Sequence, residues 1–564
     1  MLIKDLKRDF YDAIQHQRVL ILVAFDVDAL CACRILQYLL QCDHILYTIV
    51  PVSGKEELEK AFVDNSEGVQ HVVMINCGAT IDVVELLQPD ETVTFYICDS
   101  HRPVEVSNMY NAVQVKLLMK ADDLTDVPEF DEVFREDDES DESGNESEDS
   151  DGLSKRRKMT DESIARRQDR RKWEENRNKV IFDYTKFSSY GTAASLIMFE
   201  MVWKMSKDTN DLVWLAVIGV TDQFVHFKTP RDKYMEDVMA LQSHVSRHNH
   251  RGEEDESLLS VNCLRIVFDE ELQLSLYRHW SLFDSLCHSI NTACKFRVWT
   301  LKGQKRLHEF LAEMGMPLTQ CKQQYTAMDS QLRTSVKTMM QEHMTKYGLT
   351  MQDIVLPSFW AQYGYKTKLC ASDVVLACAA VLEGVDKNKS ATDYFLDAQD
   401  ILQRSNTGWL EKGVVLAKRQ LTALVNQVQT FLDMHQVISA GPFLYVFVQE
   451  GTSDGKFFCQ PQCLIRLARF TLEAHCSVSR SKRAPSLPLV LGVPMATDPG
   501  TLLIIGIPPL DTDDERKNFF GKAFEQAASS TSSRTRHDSF DSHMMEMKAE
   551  DRSKFFDALV SLLQ

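Results

Sequence analysis

Residues 19–30 read VLILVAFDVDAL. The run from Val19 to Phe25 is apolar, short and partly β-branched, which predicts a strand buried on both faces. Two carboxylates, Asp26 and Asp28, follow at its end, and Ala29 opens a helical pattern. The alternation continues through the apolar runs Ile45–Val52, His71–Cys77 and Thr92–Cys98, separated by helix-length segments. Such a pattern predicts an α/β domain with a doubly wound, mostly parallel sheet, a plan that places ligands at the carboxyl ends of its strands. Upstream, Leu2, Leu6, Phe10 and Ile14 recur every fourth residue and predict an amphipathic first helix. Downstream, the helical patterns Ala193–Met205 and Leu212–Val225 complete the domain, which is assigned residues 1–119 and 180–228.

The insertion, residues 120–179, is acidic and then basic. Sixteen acids and one base, Arg135, lie between Asp122 and Asp151, and eleven bases and five acids between Lys155 and Lys179. The acidic part cannot bury enough apolar area to offset its chain entropy, so the insertion is expected to be largely disordered. Ser143 and Ser147 sit among Asp and Glu, a setting that suits acid-directed kinases, although a solvated spacer is the plainer reading. Lys155-Arg156-Arg157-Lys158 has the form of a nuclear localisation signal. The segment Ile164–Val180, dense in Arg and Glu, reads as a charged helix. Residues 229–435 follow as a mostly helical region with few strand signals, including Gln304–Met314, Ala371–Leu382 and Trp409–Asp433. In residues 436–564 the strand-like runs Phe443–Val448, Leu487–Val493 and Leu502–Ile507 alternate with the helix-like Cys463–Cys476, Asp514–Ala528 and Asp551–Leu563, predicting a smaller α/β domain.

Length and composition, 564 residues with 44% hydrophobic content, allow two or three globular domains. No segment has the roughly 20 apolar residues that span a bilayer, so a soluble, intracellular protein without membrane contact is expected. The fourteen cysteines are scattered through apolar segments, where reduced thiols are expected. The pairs Cys31/Cys33 and Cys459/Cys463 lack the matching second pair of a zinc site. Of the formal charge of −19, the folded remainder outside the two charged segments keeps −10. Most of that surface repels duplex DNA, leaving nucleic-acid contact to a local groove. No Gly-x-x-x-x-Gly-Lys-Ser/Thr loop is present, so nucleotide hydrolysis is not expected.

Carboxylates two residues apart at a strand end can hold divalent cations through hard oxygen ligands. After the third strand comes Asn76-Cys77-Gly78, after the fourth Cys98-Asp99-Ser100-His101, and Asp222 ends an apolar helix. This ordered set resembles the DHH phosphoesterase superfamily of RecJ-type exonucleases and related phosphodiesterases. There, Asp residues and an Asp-His-His triplet bind two manganese or magnesium ions that activate water against phosphorus. The resemblance puts Asp26 and Asp28 at the Asp-x-Asp ligands, Asp99 and His101 at the ends of the triplet, and Asp222 at the late Asp. It also exposes losses. Asn76 stands where an Asp bridges the metals, Ser100 replaces the middle His, and Ala24 and Ala29 depart from the first motif. Two adjacent divalent cations repel without a bridging carboxylate, so a two-metal centre is not expected. One ion on Asp26, Asp28 and Asp222 and a purely structural role, with Asp26 and Asp99 capping the segments that follow, stay open as alternatives. The C-terminal domain resembles the superfamily's DHHA1 domain, but its expected Gly-Gly-His turn is absent. Asn518-Phe519-Phe520-Gly521 stands in its place, with rings better suited to the core.

A narrower resemblance rests on VDALCAC (27–33), VSGKEEL (52–58), INCGA (75–79), CDSHRP (98–103), SRHNHR (246–251), GQKRLHEFLAEMG (303–315), NFFGKAFEQAA (518–528) and KAEDRSKFFDAL (548–559). By these motifs the chain resembles the animal cell division cycle 45 family along essentially its whole length. The resemblance implies a nuclear, chromatin-associated, non-catalytic subunit of the eukaryotic replicative helicase, required for initiation of DNA replication and fork progression. Its implied partners are the hexameric MCM ring and the GINS complex, bridged through residues 229–435, together with initiation factors, replicative polymerases and single-stranded DNA; no cofactor is implied. The competing expectation is a metal-dependent single-strand exonuclease or phosphodiesterase using Asp26, Asp28, Asp99, His101 and Asp222. Other groupings carry less. His244, His248 and His250 lack a third ligand at fixed geometry and read as a polar helix end, with Arg247 and Arg251 suited to an acidic partner. Ser479–Arg483 reads as a solvated loop, with phosphate or an acidic surface as the alternative contact.

Overall fold

β1 (Val19–Ala24) is buried along all six residues and pairs in parallel with β2 (Tyr47–Val52) on one side and β3 (His71–Ile75) on the other. This computed structural model describes residues 1–135, 161–253, 264–363, 367–386, 388–403, 407–511 and 517–564. Ser143, Ser147 and Lys155–Lys158 lie outside those residues. β4 (Thr94–Cys98) and β5 (Val115–Leu117) extend the sheet, parallel throughout, in the order β2-β1-β3-β4-β5. The connections run to opposite sides of β1, so the sheet's switch point lies between the carboxyl ends of β1 and β3. α1 (Val27–Cys42), α4 (Ala194–Lys204) and α5 (Asn210–Val225) pack against one another and carry the apolar faces that cover this edge.

The expected first helix is shorter than its periodicity suggests. Leu6, Phe10 and Ile14 are buried, but regular helix is confined to Lys7–Tyr11, as a π-turn, and Asp12–Ile14. Residues before it are taken up by the sheet edge: Ile3 N donates to Leu117 O at 3.0 Å and Leu117 N to Met1 O at 2.8 Å. α2 (Lys55–Asn65) follows β2, and α3 (Asp161–Thr185) spans the expected charged helix, so the basic part of the insertion is helical where described.

From α6 (Arg231–Glu253) onward the chain is mostly helical, as expected, and adds three strands that the sequence did not announce. β6 (Leu264–Leu272) pairs antiparallel with β7 (Val355–Tyr363) over nine residues, and β8 (Thr367–Cys370) adds to β7. Pro357 inside β7 and the acidic end of β6 mask the strand signal, and a partner some ninety residues away cannot be read locally. α7 (Leu301–Glu313), α8 (Ala371–Leu382) and α9 (Thr407–Asp433) agree with the expected helices within three residues at each end. One hydrophobic core runs from the first sheet into α6, β7 and α8. A second joins β6, α7 and α9 to the C-terminal sheet.

That last sheet has the order β9-β10-β11-β12-β14-β13, built from β9 (Ile438–Ser439), β10 (Leu444–Phe447), β11 (Leu489–Pro494), β12 (Thr501–Ile507), β13 (Thr535–Arg536) and β14 (Met544–Lys548). Only β10 and β11 pair in parallel. Its two faces follow the period of two: Leu489, Leu491 and Val493 meet α10 (Pro461–Val478), while Val490, Leu502 and Ile504 meet α11 (Phe520–Thr531) and α12 (Arg552–Leu563). The described cysteines are all free thiols. Among the described residues no helix is long and apolar enough to cross a membrane.

Candidate functional site

Asp26 ends β1 in an extended conformation and caps α1, its Oδ1 accepting Ala29 N–H at 2.6 Å. Two residues on, Asp28 reaches across to the start of α4, where its oxygens accept Ala194 N–H at 2.8 Å and Ser195 N–H at 3.0 Å. Carboxylates at helix N-termini satisfy orphan donors and complement the helix dipole. Gly219 of α5 makes this approach possible, since a Cβ there would lie 2.6 Å from Asp28 Oδ1 and 2.0 Å from Ser195 Oγ.

Asn76 joins the two motifs. Its backbone takes φ 52°, a left-handed conformation that Asn tolerates better than most residues. Its amide Nδ2 lies 3.2 Å from both oxygens of Asp26 and 3.1 Å from Asp28 Oδ2, and its Oδ1 accepts Ser100 N–H at 3.0 Å. An Asp here would turn a donor shared by two carboxylates into a third carboxylate facing them. Ser100 contributes only backbone to this network, and its hydroxyl has no hydrogen-bond partner among the described residues.

The neighbouring motif folds on itself. Asp99 Oδ2 accepts Ala79 N–H at 2.9 Å, while Oδ1 takes His101 N–H at 2.9 Å and meets His101 Nδ1 at 2.6 Å. His101 Nε2 lies 3.3 Å from Asp541 Oδ1 of the C-terminal domain, and Tyr190 donates its hydroxyl to the same oxygen. Burial lowers the imidazole's proton affinity, but Asp99 and Asp541 outweigh it and push the His101 pKa up to about 10. Burial acts oppositely on Asp541, yet the His101 hydrogen bond and charge hold it well below the usual carboxylate range.

At the end of α5, Asp222 Oδ1 pairs with His226 Nδ1 at 2.8 Å. The helix closes in a Schellman turn: Phe227 N–H bonds Phe224 O at 3.1 Å, Lys228 N–H bonds Gln223 O at 2.8 Å, and Phe227 takes φ 60°. The turn brings Lys228 back over the site, 4% exposed, with Nζ 3.8 Å from Asp26 Oδ2 and 5.5 Å from the centre of the Tyr190 ring. Burial opposes its charge, but Asp26, Asp222, Asp541 and Asp28 together hold it protonated, above the ordinary lysine range. For Asp26 burial exceeds the pull of Lys228, and its pKa rises to about 6. A cavity of about 280 Å³ borders the cluster between the N- and C-terminal domains, with His226, Lys228, Tyr190, Asn518 and His543 in its wall.

The structure thus gathers Asp26, Asp28, Asn76, Ser100, Asp99, His101 and Asp222 at one sheet edge, and adds Lys228, His226, Tyr190 and Asp541, which sequence reasoning missed. The i, i+4 spacing of Asp222 and His226 was a usable signal, whereas nothing local marks Asp541 or Lys228. A two-metal centre does not fit these residues. An amide donor lies between Asp26 and Asp28, a buried ammonium stands beside Asp26, and no described group of three or more His, Cys, Asp or Glu side chains has metal-holding geometry. At the C-terminal turn, Phe520 is fully buried, while Asn518 Nδ2 bonds Gly506 O at 2.9 Å and its backbone pairs with Ser188. His244 and His248 form no metal cluster: His244 meets Phe199 and Trp203 edge-on, and His248 Nε2 lies 2.8 Å from Asp208, which also binds Arg247. The side chains of His250 and Arg251 lie outside the described residues. In the Ser479–Arg483 loop, Arg480, Lys482 and Arg483 are exposed.

Comparison with known proteins covers the whole chain. The CDC45 family model matches residues 19–151 and 119–562. The human "Cell division control protein 45 homolog" is 48% identical over 567 residues, covering 100% of both chains, and the mouse protein of the same name is 47% identical with the same coverage. The crystal structure of CDC45 from Entamoeba histolytica superposes with a TM-score of 0.70 at 24% identity, over 100% of each chain.

Replacing Lys228 by Met keeps the packing but leaves Asp26, Asp222 and Asp541 without their cation. Urea unfolding at neutral pH is expected to show a loss of about 3–5 kcal/mol. His101 supplies a pH test. Its folded pKa is raised, so its contribution is complete below the unfolded value of 6.5 and fades as pH rises through about 10. The stability gap between the wild-type protein and His101→Gln should therefore be widest near pH 6.5 and close toward pH 10 in urea titrations.

Proposed function

The chain belongs to the CDC45 family, and from that premise we propose that it is a DNA-replication factor acting as a non-catalytic subunit of the eukaryotic replicative helicase. In this reading it serves initiation and fork progression in the nucleus, on chromatin. It bridges the MCM ring and GINS, and residues 229–435 form the docking region. Initiation factors and replicative polymerases are further partners, and ATP use belongs to the ring. The basic run Lys155–Lys158 supports nuclear import, and acid-directed phosphorylation at Ser143 and Ser147 would deepen the insertion's negative charge.

The observation that carries the non-catalytic reading is the Lys228 ammonium 3.8 Å from Asp26, with the Asn76 amide between Asp26 and Asp28. Metal-assisted attack on phosphorus needs carboxylates free to bind cations and an open position for the phosphoryl group. Here the carboxylates hold N–H donors and a lysine, and Asp541 sets a negative charge against His101. That carboxylate repels a phosphate at the centre of the cluster, so a guided single strand would run along the mouth of the cleft, past Arg231 and Arg469.

The test uses end-labelled single-stranded DNA with the full chain saturated in manganese or magnesium. The strand is expected to stay intact. Cleavage that disappears in Asp26→Ala would replace this reading with the RecJ-type exonuclease.

A further inference from the structure

A larger cavity, about 780 Å³, lies where α7 meets α10 and shares Arg469 and Leu510 with the wall of the smaller one. Five cations line it: Lys295, Arg297, Lys302, Arg306 and Arg469. Against them stand two carboxylates, and both are engaged. Glu473 accepts from Arg469 Nε at 2.8 Å, and Asp353 lies 3.7 Å from Lys295. Arg306 spends one nitrogen on the carbonyl of Tyr347 at 2.8 Å. Arg297 and Lys302 are exposed and have no acidic partner among the described residues. In a chain with a formal charge of −19, this is a local inversion of sign. Uncompensated cations in a concave, partly apolar wall focus the field and draw in anions.

The wall is also fixed in shape. Gly303, in the first turn of α7, packs so closely on the turn before it that a Cβ would lie 2.1 Å from Arg297 O and 2.4 Å from Phe296 O. Arg297 and Lys302 are thereby anchored on one rigid corner, which lowers the ordering cost of binding. Two features decide the class of anion. Phe296 is 1% exposed and offers no ring face, so the cavity lacks the stacking platform on which single-stranded nucleic acid depends. Guanidinium forks match the planar carboxylate, and Leu510 leaves an apolar strip beside them.

We propose that this cavity binds an acidic peptide segment of a partner protein. Carboxylates sit on Arg297, Lys302 and the remaining N–H groups of Arg306, with an aliphatic side chain on Leu510.

The experiment is fluorescence anisotropy with the full chain and a fluorescein-labelled peptide of Asp and Glu with one central Leu. Saturable binding that weakens with salt is expected. The pair Arg297→Glu and Lys302→Glu should lower affinity about tenfold or more, while Arg297→Lys, which keeps the charge and loses the fork, should lower it by less than the reversed pair does. Arg480→Glu with Lys482→Glu, on the exposed 479–483 loop, should leave binding unchanged. The proposal is overturned by absence of saturable binding, by equal loss in both reversed pairs, or by an oligothymidylate that displaces the peptide more effectively than unlabelled peptide does.

Discussion

The buried ammonium of Lys228 faces carboxylates drawn from three distant parts of the chain: Asp26 and Asp28 after β1, Asp222 in α5, and Asp541 in the loop before β14. Buried carboxylates are tolerable only when donors or cations compensate them. Here the compensation is internal, from one lysine, two imidazoles paired to carboxylates, one amide and the N-termini of α1 and α4. The sheet edge is therefore a network in which each buried carboxylate meets a donor or a cation supplied by this chain.

The same network ties the ends of the chain together. Asp541 and Tyr190 meet at the site, Ser188 and Asn518 exchange backbone hydrogen bonds of 2.8 and 2.7 Å, and Gly54 approaches so near Asp538 that a Cβ would lie 2.3 Å from its carboxylate. Away from this cluster, another buried carboxylate, Glu383, accepts Cys463 N–H at 3.0 Å at the start of α10, and burial raises its pKa to about 8. Polar bonds thus join the N- and C-terminal domains at the cleft. Rigid placement of distant surfaces suits a subunit that holds partners in register, which is how the site's chemistry meets the proposed role.

Much of this was legible in the sequence where the signal is local. Continuous apolar runs gave the first four strands to within two residues, because the inner parallel strands, covered on both faces, need no alternation. The strand-end motifs brought Asp26, Asp28, Asn76 and Asp99 to one edge because α/β topology puts strand ends there, and Asp222 joins them from α5. The parts that were not legible depend on long-range pairing. The β6–β7 ladder joins residues some ninety apart with a Pro and acids inside it, and Asp541 enters the site only because the C-terminal domain docks on it. Lys228 was hidden for a subtler reason: a Schellman turn with Phe227 in the left-handed position lacks the usual Gly that would announce the reversal.

The measurement that bears most directly on this internally bonded site is manganese binding to the intact protein, followed by titration calorimetry with electron paramagnetic resonance of the free ion. The site is expected to take up no manganese at concentrations that saturate a two-metal phosphoesterase. Stoichiometric uptake that is lost in Asp26→Ala would contradict the claim that the Lys228 ammonium and the Asn76 amide occupy the carboxylates of the cleft.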